Sequence, residues 1–359
     1  KDMFLYELEN HEYSYTGTAE DDPVPGLEAS CRALGVPLHI LDLQEAFFRQ
    51  IVRPFAESYA HGETPNPCVR CNALVKFGLW MDEARKLGAD RLATGHYVSL
   101  AEHPRYGMAL HQGADEAKDQ SYFLCQLSQE QLRYALFPIG DLLKPEVRRI
   151  AAEQGLATAK RKDSQGICFV GKVDLPVFLQ QQLAAKDGDI VEIPSGWSGY
   201  RPLPADAPLG RLAEPFRYEP SDGARVGCHR GAHFFTIGQR KGLNVGGKPE
   251  PLFVIGTDVE RNILYVGQGQ RHPGLYRRAL YMLPDEIHWV RPDLALKTGE
   301  NRRYLVRIRY RQPLQGAVLY RTAEGGFVVF DEPQRGVTAG QFAAWYDGEE
   351  LIGSGVIHR

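Results

Sequence analysis

The chain lacks the features that define several large classes of protein. None of its apolar runs approaches the roughly 20 residues that a helix needs to cross a bilayer, and residues 1–8 contain no hydrophobic segment of a signal peptide. Six cysteines among 359 residues are too few for a disulfide scaffold. A net charge of −3 argues against a nonspecific nucleic-acid coat, although a local basic face could still bind phosphates. These absences favour a globular protein of the reducing cytoplasm, outside the membrane.

The N-terminal half alternates between helical and extended patterns. Three runs of apolar residues at helical spacing each stop at a glycine, and they cover 27–34, 73–87 and 145–154. Extended segments follow at 36–42 and 91–94. This alternation predicts an α/β domain with a parallel sheet, in which ligands bind beyond the carboxyl ends of the strands. Gly95 and His96 lie directly after one of these strands, where that rule places a ligand.

The second half of the chain has a different pattern. A length of 359 residues predicts two or three domains, and the composition changes after about residue 172. Residues 186–231 are rich in Gly, Pro, Asp and Arg, which indicates loops and short strands. Strand-like runs then dominate, with a hairpin turn at 258–262, and they cover 233–237, 252–256, 263–267, 304–310, 316–320, 326–330, 341–346 and 352–357. The last five runs predict a small β-barrel or sandwich.

A C-x-x-C motif is formed by Cys68 and Cys71. On its own the motif fits half of a zinc site, a redox pair, or a nucleophile with a second cysteine beside it. A zinc site needs two more ligands, and the sequence contains no second C-x-x-C. A redox pair would begin a helix directly after a strand, whereas Pro65 and Pro67 predict a rigid loop here.

Cys168 follows a basic stretch at 160–162 and the turn-forming residues Ser164 and Gly166. Nearby cations favour a thiolate over a thiol, which would make this sulfur reactive. The alternative is a buried cysteine in a short strand at 167–170. If the two cysteine segments meet in the fold, they bring two reactive sulfurs together, and the chemistry would be that of sulfur.

Two further segments carry polar groups that could bind a ligand. Residues 118–121 place Lys, Asp, Gln and Ser before an apolar run, which suits either a phosphate or base contact or a simple helix cap through Asp119 or Ser121. If 304–311 is a strand, three arginines share one face of it, namely Arg307, Arg309 and Arg311. That face could bind a phosphate backbone, or it could be a solvated surface with scattered carboxylate partners.

Taken together, these segments resemble the tRNA-specific 2-thiouridylases, which thiolate the wobble uridine with ATP. The matching strings are TPNPCVRCN, ATGHYV, KDQSYFL, KRKDSQGICFVG, FTIGQRKGL, RIRYRQP and VTAGQ, in the family's order from residue 64 to 341. The resemblance implies an ATP-pyrophosphatase-type (adenine nucleotide alpha hydrolase-like) α/β domain at 1–172. A small central domain at 173–275, with an extended 186–231 region, and a C-terminal, tRNA-contacting β-barrel at 276–359 would follow.

The resemblance also assigns roles. Cys71 resembles the nucleophile and Cys168 the cysteine that carries a persulfide. The remaining matches are the target-base loop at Asn66, Pro67 and Cys68, an ATP contact at Gly95, and tRNA contacts at His96, Lys118, Asp119, Gln120, Arg309, Tyr310 and Gln341. The implied cofactor is ATP with Mg²⁺, the implied partners are tRNA and a sulfur-delivery protein, and no resident metal is implied. Family members often have an acidic residue where this chain has Cys68.

One family motif is missing. The phosphate loop S-G-G-x-D-S, which holds pyrophosphate after the first strand, does not occur in the 359 residues. Either the sequence is a fragment of a longer chain, or the natural chain has lost ATP activation and is an inactive tRNA-binding homologue. We expect a fragment, because a sheet without its central strand should expose apolar edges.

Overall fold

The computed structural model describes residues 24–156, 159, 185–201, 203–204 and 206–358. These residues form two compact units. The first unit contains 24–54, 67–156, 159 and 349–351, and the second contains 55–66, the described residues from 185 to 348, and 352–358. Within the described part of the chain, no helix is both long and apolar enough to cross a membrane.

Helices make up most of the first unit. The α-helices are α1 (Val24–Leu34), α2 (Gln44–Phe47), α3 (Arg53–Ala60, which continues into the second unit), α4 (Pro67–Cys71), α5 (Met81–Lys86), α6 (Gln129–Tyr134) and α7 (Lys144–Glu153). Two π-helical segments, Phe48–Val52 and Asn72–Trp80, join α2 to α3 and α4 to α5. The predicted glycine stops are confirmed at Gly35 and Gly88, whose φ angles of +65° and +89° favour glycine.

The strands of the first unit are β1 (Leu92–Ala93), β2 (Val98–His103), β3 (Gly107–Gln112) and β4 (Ala135–Leu136). Strand β1 pairs with β4 in parallel, and β2 with β3 as an antiparallel hairpin. The predicted strand at 36–42 is wrong, since no strand forms there and Ile40 is 59% exposed. Pro37 lies in this segment and cannot donate a hydrogen bond to a sheet ladder.

Mostly antiparallel strands build the second unit. A four-stranded sheet has the order β6–β5–β8–β7, with β5 (Gly188–Glu192), β6 (Ala224–His229), β7 (Leu252–Asp258) and β8 (Ile263–Gln268). Within this sheet β5 and β8 pair in parallel. A larger sheet runs β9–β13–β12–β11–β14–β15, and β10 also pairs with β15. Its strands are β9 (Tyr276–Met282), β10 (Ile287–Trp289), β11 (Asn301–Arg307), β12 (Gln315–Arg321), β13 (Gly326–Arg335), β14 (Phe342–Asp347) and β15 (Glu350–Val356, whose first two residues belong to the first unit).

Short helices connect these strands, and a large apolar core lies on the larger sheet. The one short α-helix described in this unit is α8 (Leu209–Leu212). The 3₁₀ turns of both units are Ser121–Leu124, Ser198–Tyr200, Pro220–Asp222, Ala232–Phe234, Pro273–Leu275, Pro284–Glu286 and Pro292–Leu294. Trp345 and Phe330 are at most 1% exposed in the core of the larger sheet. Burial of such side chains supplies most of the stabilisation of a β-barrel.

Two expectations for this unit are wrong. Residues 233–237 form no strand, since a 3₁₀ turn covers Ala232–Phe234 instead. The three arginines do not share a strand face either, because β11 ends at Arg307 and Arg311 has a φ angle of +64°. The Gln312 side chain accepts a hydrogen bond from the Ile308 N–H at 2.9 Å, which replaces the strand ladder by a turn. The predicted run at 304–310 is confirmed only as far as Arg307, where β11 ends, and the other predicted strand runs of this half are confirmed.

Candidate active site

Helix α4 carries both cysteines of the C-x-x-C motif. It begins at Pro67, and proline suits a first helical position because its missing N–H would have no partner there. Cys68 is half-buried, whereas Cys71 is only 1% exposed. Burial shields the Cys71 sulfur from bulk water and from adventitious oxidants.

The π-helical segment Asn72–Trp80 follows directly and is anchored by polar side chains. The Asn72 amide donates to the Phe123 carbonyl at 2.9 Å. The Gln131 amide donates to two carbonyls of the segment, those of Ala73 at 2.8 Å and Phe77 at 2.9 Å. Because π turns displace the ordinary helical hydrogen bonds, such external donors help to hold the irregular geometry.

Gln131 also closes a capping box at the start of α6. Its N–H donates to the Ser128 hydroxyl at 3.2 Å, and its side-chain oxygen accepts from the Ser128 N–H at 3.0 Å. One glutamine therefore joins the helix that follows Cys71 to α6. Sequence reasoning missed this residue, although the S-x-x-Q spacing was a visible signal of the cap.

His96 lies on the short segment after β1 and is buried. Its Nδ1 is 2.8 Å from the Thr94 hydroxyl, and its ring packs against Phe77 and Phe137 with centroids 6.1 Å away in each case. Burial, with a smaller contribution from the charge of Lys76, lowers the pKa of His96 to about 3. The imidazole is therefore neutral at physiological pH and cannot act as a cation towards phosphate.

Asp119 is an internal hydrogen-bond acceptor. Its side chain is 3% exposed and accepts four hydrogen bonds, from the Gly113 N–H (3.3 Å), the Ser121 N–H (3.0 Å), the Ser121 hydroxyl (3.0 Å) and the Gln112 amide (3.1 Å). The carboxylate therefore joins the end of β3 to the turn at Ser121–Leu124. The capping interpretation is wrong in its detail, because the N-cap of this turn is Gln120 and no side chain caps it, while Asp119 bonds the Ser121 N–H from one residue further back.

Gln120 and Lys118 flank this carboxylate and are half-buried. The Gln120 side-chain oxygen accepts from the Tyr97 N–H at 3.0 Å, and the backbone N–H of Gln120 donates to the Tyr97 carbonyl at 3.1 Å. The Lys118 N–H donates to the Asp115 carbonyl at 2.8 Å. The ammonium of Lys144, which sequence reasoning missed, lies 5.5 Å from the centre of the Tyr97 ring. Backbone bonds thus hold residues 118–121 beside the segment that carries His96.

In the second unit, Arg309 and Tyr310 lie in the turn that follows β11. Arg309 is exposed and donates to the Arg335 carbonyl at 3.0 Å. Tyr310 is half-buried, and the Arg311 guanidinium lies 5.2 Å from the centre of its ring. Arg307 is buried instead, with its guanidinium 4.9 Å from the Tyr346 ring. A tight turn therefore presents the first two residues at the surface, while Arg307 packs inside.

Asn66 and Gln341 also belong to the second unit. Gln341 donates its side-chain amide to the Thr64 carbonyl at 2.6 Å, two residues before Asn66. Thr64 had not been singled out from the sequence, and a bond across 277 positions leaves no local signal.

The first unit therefore brings several predicted residues together around one helix. Phe77, on the π-helical segment after Cys71, contacts His96, and Asn72 contacts the turn that follows Gln120. Gly95 is exposed beside His96, and the nearest atom to a side chain built on it would be Ile139 Cδ1 at 3.9 Å. Cys168 lies outside the described residues.

Comparison with known families agrees with this architecture. A family model described as the tRNA methyl transferase HUP domain matches residues 3–172. The tRNA methyl transferase PRC-barrel domain matches residues 217–268, and the aminomethyltransferase beta-barrel domain matches 281–357. The predicted order of an α/β domain, a small central domain and a C-terminal β-barrel is confirmed.

Three curated proteins that are similar to the chain carry the name tRNA-specific 2-thiouridylase MnmA. The protein from Christiangramia forsetii is 54% identical over 334 residues, which cover 90% of this chain and 84% of the relative. That from Flavobacterium johnsoniae is 53% identical over 332 residues, with the same coverage. That from Pseudomonas aeruginosa is 43% identical over 345 residues, which cover 95% of this chain and 82% of the relative.

Proposed function

The chain belongs to the tRNA-specific 2-thiouridylase family, and from that premise we propose that it replaces the C2 oxygen of the tRNA wobble uridine by sulfur. It is a tRNA sulfurtransferase that thiolates uridine, as its curated relatives are. The observation that carries the finer proposal is the position of Cys71. Cys71 is buried and is the last residue of α4, the helix that begins at Pro67. It lies next to the elements that bear His96 and Gln120.

ATP supplies the activation in this proposal, because the uridine C2 oxygen leaves poorly unless it is adenylated. Gly95 suits one contact of such a nucleotide. It is exposed two residues after the end of the parallel strand β1, and a ligand can approach its backbone closely because glycine has no side chain. A magnesium ion would accompany the phosphates.

The sulfur step assigns the two cysteines different tasks. A persulfide on Cys168 holds the sulfur atom to be transferred. The Cys71 thiolate attacks the inner sulfur of that persulfide, which forms a Cys71–Cys168 disulfide and releases the outer sulfur as sulfide. Sulfide attacks C2 of the base and expels AMP, and a thiol reductant must then reopen the disulfide. A sulfur-delivery protein would reload Cys168.

The tRNA contacts are distributed over both units. Arg309 and Tyr310 suit a direct contact, because a turn presents them at the surface with a cation and an aromatic ring. His96, Lys118, Asp119 and Gln120 would act at the base, which must leave its stack to be modified. Asn66, together with Pro67 and Cys68 in the first turn of α4, would surround that base. The domains would follow the boundaries 1–172, 173–275 and 276–359.

Cysteine variants test the sulfur chemistry. Cys71→Ser and Cys168→Ser should each lower 2-thiouridine formation by at least about 100-fold, because neither hydroxyl can carry or release sulfur. The dissociation constant of tRNA should stay within about twofold of the parent value. Cys228→Ser, at an exposed cysteine on β6, is the matched control and should retain full activity. Unchanged thiolation in either active-site variant would refute the mechanism.

Cys68 permits a second test. Since relatives often have an acidic residue at this position, Cys68→Asp should keep thiolation within about tenfold of the parent rate. An inactive tRNA-binding homologue is not favoured, because relatives of 43–54% identity carry the name of the enzyme. ATP–pyrophosphate exchange that depends on tRNA would exclude it directly.

A further inference from the structure

The backbone of Thr64 is held from both sides by one loop of the second unit, residues 338–341. Its N–H donates to the Ala339 carbonyl at 2.8 Å. Its carbonyl accepts from the Gln341 side-chain amide at 2.6 Å. Both the N–H and the carbonyl of Thr64 are thus bonded to a loop about 277 positions further along the chain. These two bonds fix Thr64 in position and orientation.

Gly340, which lies between Ala339 and Gln341, packs directly against the backbone of Thr64 and Pro65. Its φ angle is +87°, which glycine adopts without strain. A Cβ at this position would lie 3.0 Å from the Thr64 carbonyl carbon and 3.1 Å from the Pro65 nitrogen. The approach is therefore possible because residue 340 has no side chain.

A hydroxyl contact holds Thr64 from another direction. The Thr64 hydroxyl is 3.1 Å from the Thr236 hydroxyl. Gln239 fixes Thr236 in turn, because its side-chain oxygen accepts from the Thr236 N–H at 3.1 Å.

Two prolines transmit this restraint along the chain. Pro65 follows Thr64 directly, and Pro67 begins α4 after Asn66. Each proline fixes its own φ angle and restricts the residue before it. With Thr64 held and both neighbours of Asn66 restricted, the backbone at Asn66 has few accessible conformations.

We propose that Gln341 is a positioning residue, which acts on the uridine through the loop that carries Asn66. Together with Thr236 and Gly340 it forms a clamp on Thr64. The inference rests on the proposed function, since that function places Asn66 at the target base. In this role Gln341 acts on the protein and not on tRNA, because its side-chain amide donates to the Thr64 carbonyl.

Gln341→Met tests the clamp, since methionine has a similar length and no donor. Hydrogen exchange of the peptide covering 62–66 should accelerate by about tenfold, the consequence of losing one partly buried hydrogen bond. The thiolation kcat should fall by about tenfold or more, with the tRNA dissociation constant within about twofold of the parent. Gln315→Met is the matched control, because Gln315 also donates to a backbone carbonyl, that of Pro313 at 3.1 Å. It should change neither quantity.

A second pair of variants approaches the clamp from the hydroxyl side. Thr236→Val removes the hydroxyl and keeps the shape, so it should accelerate exchange at 62–66 and lower kcat in the same way. Thr236→Ser keeps the hydroxyl and should restore both. This pair also serves if Gln341→Met folds poorly.

The proposal is overturned if Gln341→Met weakens tRNA binding while exchange at 62–66 stays at the parent rate, because Gln341 would then contact tRNA directly. Unchanged exchange in both Gln341→Met and Thr236→Val would equally refute the clamp. Exchange is measured without tRNA or ATP. A failure of the proposed thiolation chemistry would therefore leave the exchange result interpretable, so the two failures can be told apart.

Discussion

The two units hold their candidate functional residues in opposite ways. In the first unit Asp119 and His96 are buried, and their polar atoms bond to neighbouring strands and turns. In the second unit Arg309 lies exposed in a turn after β11 and donates to the Arg335 carbonyl. Substitutions in the first unit should therefore act mainly through stability and shape, and those at the turn should act mainly on affinity for tRNA.

Asp119→Asn should break the first side of this comparison most strongly. The hydrogen bonds described above use both carboxylate oxygens as acceptors, and the amide nitrogen of asparagine would face donors in place of one of these oxygens. We expect a loss of about 2–3 kcal/mol in the free energy of unfolding. Urea denaturation would measure it, with Asp90→Asn at an exposed position as the control. A loss no larger than that of the control would contradict the internal role.

His96 should make the stability depend on pH. The folded pKa of about 3 lies below the unfolded value near 6.5, so the unfolded state alone binds a proton between these values. Stability is therefore complete above the unfolded pKa and falls as the pH drops towards 3. By pH 5 the loss should reach about 2 kcal/mol, and His96→Gln should abolish it. If the free energy of unfolding fell with pH equally in the parent and in His96→Gln, burial of His96 would not be the cause of the pH dependence.

Arg309→Ala should affect binding instead. Loss of one phosphate contact should weaken tRNA binding by about three- to tenfold and reduce the slope of log affinity against log salt by about 0.7–0.9. Stability should stay close to that of the parent. Arg321→Ala is a matched control, because Arg321 also donates to a backbone carbonyl, that of Thr322 at 3.1 Å. If Arg309→Ala and Arg321→Ala changed the slope of log affinity against log salt equally, the turn after β11 would have no special role in binding tRNA.

Arg303→Ala should have the smallest effect. Its guanidinium pairs with Asp331 on the exposed face of β11 and β13, at 3.0 Å between Nη1 and Oδ1. The pairing raises the pKa of Arg303 and lowers that of Asp331, but water and salt screen such an exposed pair. The midpoint of thermal unfolding should stay within about 1 °C of the parent, as calorimetry can check. A larger shift would mean that surface charge stabilises the barrel more than we expect.

Local patterns predicted the order of elements, because helix stops and strand runs are written in neighbouring residues. Gly35 and Gly88 end helices as expected, and the barrel strands occur where apolar runs predicted them. The arginine face failed because one turn, held by the Gln312 side chain, interrupts the alternation. The contact of Gln341 with Thr64 could not be predicted, since it joins residues that no short-range pattern relates. The inward orientation of Asp119 depends in the same way on how β3 turns back towards Ser121.

The π-helical segment Asn72–Trp80 determines the angle, measured around the helix axis, between the Cys71 side chain and the side chains that follow the segment. Each residue of an α-helix turns the chain by about 100°, so removing one residue from this segment would rotate everything before it by roughly that angle. The sulfur of Cys71 would then point in another direction while every side chain that contacts it kept its identity. A single deletion several residues away could silence the cysteine, and substitutions at the cysteine itself would never reveal that dependence.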